Sequence, residues 1–152
     1  MGIRWFLAIA VAAFLVATTG SDVFARMTIG GQPLANALNE HFYWAGVQFL
    51  ATLMLLAPFG FLAVIASWVE VRTRTWKAIL LFAVPTLFLI YSYFAGYQAS
   101  EAAMLDKRWT AATLSIGFLP LWAAPIVLVD WLVGLILVRF RDRELTTGQK
   151  TG

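Results

Sequence analysis

The chain has 152 residues, 61% of them hydrophobic and 12% charged, with a mean hydropathy of +0.80 and a net charge of +3. Soluble domains are about 25% charged and about 45–50% apolar, and a globule this small has too little interior to hide such an excess. Disordered chains are apolar-poor, and the absence of cysteine excludes a disulfide scaffold, a thiol relay and a thiolate metal site. The composition therefore predicts an all-α integral membrane protein, a single four-helix transmembrane bundle over residues 1–152. The basic residues flank apolar stretches, which is the pattern of lipid head-group contact rather than nucleic-acid binding.

A spanning helix needs ~20 mostly apolar residues to cross a hydrocarbon core of ~30 Å. Four segments qualify, at about 3–19, 42–68, 76–97 and 114–138. The first carries a basic start at Arg4 and could be read as a signal peptide cleaved after Val23-Phe24-Ala25. Its apolar run is long, however, and only one arginine precedes it. The candidate cleavage site also lies eight residues beyond the run, so retention as a span is expected.

Residues 20–41 form the longest connection, with Gly30, Gly31 and Pro33 marking a turn and Leu34 to Glu40 a short interfacial helix. The second span holds Pro58, with Gln48 and Thr52 toward its start. The third holds Pro85 and Thr86, then Tyr91, Ser92, Tyr93 and Tyr97. Residues 98–113 read as a helical extension carrying Glu101, Asp106, Lys107 and Arg108. The fourth span contains Pro120, Pro125 and Asp130, and its helix is expected to run about one turn past Arg139 before fraying toward Gly152.

Eight basic residues fall beside Arg4, the second connection and the tail, against three in the other two connections. The positive-inside rule then puts both termini in the cytoplasm, in a bacterial cytoplasmic (inner) membrane. Trp5, Trp68 and Trp76 match the inner interface and Trp44 and Trp109 the outer one. Trp122 and Trp131 lie too deep for either belt and are expected to pack between helices.

Asp130 stands about nine residues, or ~13 Å, inside Arg139. Placing an ionised Asp there costs about 2.5–3.5 kcal/mol even on a lenient scale. Thr86 matches it in depth and is the expected hydrogen-bond partner. No Lys, Arg or His lies at that depth, so the carboxyl is either neutral or paired with another chain. Gly134, with Ala123 and Val127 on the same face, would admit a close neighbour. Pro58, Pro85, Pro120 and Pro125 all fall inside spans, where each removes a helix hydrogen bond. They read as kinks more readily than as a transporter's substrate site.

Glu40, His41, Gln48, Tyr91, Tyr93 and Gln98 gather toward the outer side. They would form either an ordinary interfacial polar band or a vestibule for a quinone or lipid head group. One histidine cannot supply both axial ligands of a b-type haem, and no carboxylate–histidine cluster has metal spacing. Neither cofactor nor metal is expected, and no catalytic residue is assigned. The connections are also too short to hold an active site.

The expected role is non-enzymatic: an accessory, assembly or protective subunit in the lipid bilayer, beside another membrane protein or copies of itself. The alternatives are a small oligomeric transporter or proton-coupled channel using Asp130, and a quinone- or lipid-binding subunit using the outer polar residues.

Overall fold

In a computed structural model the backbone is described over residues 2–148 and the side chains through Arg141. Lys150, counted in the basic balance, lies outside the described residues; the last helix, expected to fray from Thr146, runs on to Gly148. The elements are α1 (Ile3–Leu15), a π-helical segment (Val16–Gly20), α2 (Ser21–Thr28), α3 (Leu34–Val47), α4 (Phe49–Arg72), α5 (Thr75–Leu105), α6 (Trp109–Gly117) and α7 (Leu119–Gly148). The fold is all-helical, with no strand among the described residues. Four helices, Ile3–Thr28, Phe49–Arg72, Thr75–Leu105 and Trp109–Arg141, are long and apolar enough to cross a membrane.

Their existence follows the apolar runs, but their ends do not. The first helix continues beyond 19 to Thr28 through the π segment, where the Thr18 hydroxyl donates to the Phe14 carbonyl at 2.8 Å. Such back-bonding competes with the α-helical ladder and loosens it locally. The second span begins at Phe49 rather than 42. Gln48 (φ −106, ψ 44) leaves helical geometry between α3 and α4, and the Thr52 hydroxyl donates to the Ala45 and Gln48 carbonyls at that joint. Helix α3 itself runs on to Val47, well past the predicted Glu40.

Helix α5 extends to Leu105, so the helical extension expected over 98–113 carries Glu101 but breaks at Asp106, Lys107 and Arg108 before α6 begins. It ends in a Schellman-type turn: Arg108 N–H donates to the Ala103 carbonyl and Lys107 N–H to that of Met104. Lys107 holds the left-handed position (φ 59) that glycine usually takes. The fourth span is interrupted at Phe118. Pro120, the second residue of α7, has no N–H to offer the Ile116 carbonyl, so it starts a helix instead of kinking one. Pro58, Pro85 and Pro125 stay inside α4, α5 and α7.

Helix α4 is the hub, packing on α1, α5 and α7, while α1 and α7 take opposite flanks. Phe6, Phe59, Leu62, Val69, Leu89 and Tyr93 are the largest sealed side chains. Edge-to-face pairs link Phe6 to Phe82, Phe14 to Phe59 and Phe59 to Tyr93, and the Tyr93 hydroxyl donates to the Leu55 carbonyl at 2.8 Å. A methyl at Gly134 would sit 3.0 Å from Val69 Cγ2, which is how closely α7 approaches α4. Trp122 and Trp131 do not pack between helices. Trp122 is 71% exposed, and Trp131, 46% exposed, lines the rim of an open groove between α4 and α7.

Candidate functional site

Two polar constellations stand out against this apolar frame. The first lies at the end of the bundle away from the basic residues Arg4, Arg72, Arg74 and Lys77. There the chain turns from α2 to α3, and α2 and the π segment pack on α5.

The π segment sets its geometry. It spends extra residues on one turn, so α2 resumes with Asp22 and Arg26, four residues apart, on the side facing α3. Asp22 Oδ2 accepts from Arg26 Nε at 3.0 Å and from His41 Nδ1 at 2.8 Å. His41 Nε2 in turn shares a hydrogen bond with the Thr19 hydroxyl at 3.0 Å. Arg26 Nη1 continues the chain of charges to Glu40 Oε2, which also accepts from Gln32 Nε2 at 3.3 Å. Asp22 and His41 are buried, so each is bonded where water cannot substitute.

Helix α5 closes the cluster from the other side. Glu101 is buried, and a methyl at Gly30 would overlap its Oε1 and lie 2.8 Å from the Arg26 carbonyl oxygen. Only glycine lets the turn approach this carboxylate so closely. Tyr97 is buried one turn before Glu101, and Phe24 of α2 rests on Phe94 with ring centroids 5.7 Å apart. Three side-chain atoms here are buried without a hydrogen-bond partner: Gln32 Oε1, Gln98 Nε2 and Glu101 Oε2.

Hydroxyl, imidazole and carboxylate in this order form the relay by which a histidine base is oriented toward a nucleophile. Thr19, however, lies mid-helix, where backbone N–H groups serve helical hydrogen bonds rather than a developing oxyanion. The set ties α3 to α2 and the π segment. Among the described residues no group of three His, Asp or Glu is placed to hold a metal ion.

The predicted vestibule is only partly assembled. Glu40 and His41 join the cluster, and Gln98 sits on α5 between Tyr97 and Glu101. Tyr91 points outward, Tyr93 is sealed in the core, and Gln48 is exposed at the α3–α4 joint. Thr19, Asp22, Arg26 and Gln32 were not foreseen as site residues. The one signal available was a charged pair at i, i+4 directly after a membrane-length apolar run.

The second constellation is Asp130. It is 5% exposed and lines a groove of about 680 Å³ between α5 and α7, walled by Val84, Pro85, Phe88, Pro125, Val129 and Val133. Lys77 and Trp76 close one end, with the Lys77 ammonium 5.9 Å from the Trp76 ring centroid. The expected bond to Thr86 is not formed. Asp130 Oδ2 and Thr86 Oγ1 are each buried without a partner, because equal depth on two helices does not bring two side chains onto the same face. The chain matches no protein-family model, no curated protein and no solved structure.

Proposed function

We propose that the chain is an integral membrane protein with four spans and cytoplasmic termini, in a cytoplasmic (inner) membrane. In this reading it acts without catalysis, as an accessory or assembly subunit beside another membrane protein. Orientation rests on the basic residues, since Arg4, Arg72, Arg74, Lys77, Arg139 and Arg141 share one end of the bundle. The observation that carries the functional reading is Asp130: a buried carboxyl with an unpaired oxygen, facing an apolar groove on the least buried of the four long helices. An ionisable side chain kept inside a membrane marks a working surface by default.

Native mass spectrometry of the full-length protein, extracted gently at natural abundance, tests this. A stoichiometric second protein is the expected result. A closed homo-oligomer with nothing else bound would favour the transport reading instead.

A second reading, a small-ligand site at the α2–α3–α5 cluster, is favoured by the three unpartnered atoms of Gln32, Gln98 and Glu101. A quinone or lipid head group that stabilises the wild type but not Glu101→Gln against heat would support it.

A further inference from the structure

We infer that the α5–α7 groove receives a transmembrane helix of a different protein, and that this helix presents a lysine or arginine to Asp130. The inference rests on the association reading above and specifies the chemistry of the partner. Where it is ionised, a desolvated carboxylate needs a cation in direct contact, and the apolar groove itself supplies none. A lipid chain would cover Val84, Val129 and Val133 yet leave Asp130 as it is. Lys77 lines the same groove, but its ammonium rests at the Trp76 ring, and no ion pair joins it to Asp130.

Charge also rules out a second copy as the occupant. Among the described residues, the basic side chains of the four long helices are Arg4, Arg26, Arg72, Lys77, Arg139 and Arg141. All lie near helix ends, and Arg26 is already bound to Asp22 and Glu40. Laid against α7 in either direction, none of these described side chains starts from a helix position level with Asp130. A lysine from another helix fits the space. Its four-carbon stem can lie along the valines while three rotatable donors reach the carboxylate. The partner's basic residue should stand about nine residues, or ~13 Å, from the cytoplasmic end of its span.

The test uses the full-length protein, donor-labelled, in phosphatidylcholine vesicles with an acceptor-labelled synthetic helix. The probe is a leucine helix with one lysine nine residues from an end. The comparisons are an all-leucine helix and one with its lysine in the terminal turn. By energy transfer the probe should bind about tenfold or more tightly than either comparison. Binding should be lost in Asp130→Asn. Val84→Trp fills the groove from an exposed position and leaves Asp130 in place, so it should block the probe even if Asp130→Asn perturbs the fold. Equal binding of the all-leucine helix overturns the inference, as does undiminished binding in Val84→Trp or displacement of the probe by unlabelled copies of this chain. A native partner whose spans lack a basic residue at that depth also overturns it while leaving the association reading intact. Absence of any partner removes the association reading itself.

Discussion

Asp22 and His41 are nineteen residues apart in sequence and 2.8 Å apart in space, and their contact fixes α3 against α2. Removing the imidazole leaves the Asp22 carboxylate buried with Arg26 as its one remaining hydrogen-bond donor. His41→Ala should cost about 1–3 kcal/mol, the penalty for leaving a buried polar group short of a partner. Asp22→Asn should cost less on its own. Measured as a double-mutant cycle by chemical denaturation in detergent, the two changes should be clearly non-additive. Hydrogen exchange should rise in residues 21–47 and stay unchanged in α4.

Gly30 and Glu101 are coupled by contact rather than by charge. Gly30→Ala places a methyl against Glu101 Oε1 and the Arg26 carbonyl, and should destabilise by about 1–3 kcal/mol, as overpacking does. Glu101→Ala in the same chain removes the side-chain half of that conflict and should recover part of the loss. An additive pair in thermal unfolding would contradict the close approach.

Lys107 sits in a left-handed conformation that costs an L-residue roughly 1–2 kcal/mol. Lys107→Gly should therefore raise stability by about 1 kcal/mol, after allowance for glycine's freedom in the unfolded chain. Lys107→Val should lower it. The ranking of melting temperatures, Gly above Lys above Val, is the readout.

Tyr93 donates to the Leu55 carbonyl inside the α4–α5 contact. Hydrogen bonds between membrane helices contribute only ~0.6–2 kcal/mol, so Tyr93→Phe should lose about that amount. Tyr93→Ala should lose about 3–5 kcal/mol, because it also opens a cavity beside Phe59. Steric-trap or denaturant unfolding separates the two.

The four long helices were legible because hydropathy over ~20 residues is a local property. Their ends were not. Asp22 and Arg26 looked like the start of a loop, since charged residues continue an apolar helix only where they find partners. Those partners, His41 and Glu40, lie on the far side of a turn. Asp130 was legible for the same reason in reverse, as a lone charge in an apolar stretch.

Its pairing with Thr86 was inferred from depth alone, and depth says nothing about rotation about the helix axis. Trp122 shows the same limit: its place along the helix did not tell which face it takes, and it is exposed rather than packed between helices. The cluster under Gly30 needed three elements to converge, and no spacing in the sequence encodes that meeting.

The π-helical turn at Val16–Gly20 ties the shape of the first helix to its chemistry. Each residue of an α-helix advances the chain by about 100°, so one residue more or fewer reorients everything that follows. Deleting a single residue from this turn would keep a helix of membrane length, yet swing Asp22 and Arg26 away from His41 and Glu40. The helix would keep its apolar length while α3 lost its anchorage, so apolar length and cluster assembly are separable properties of one continuous helix.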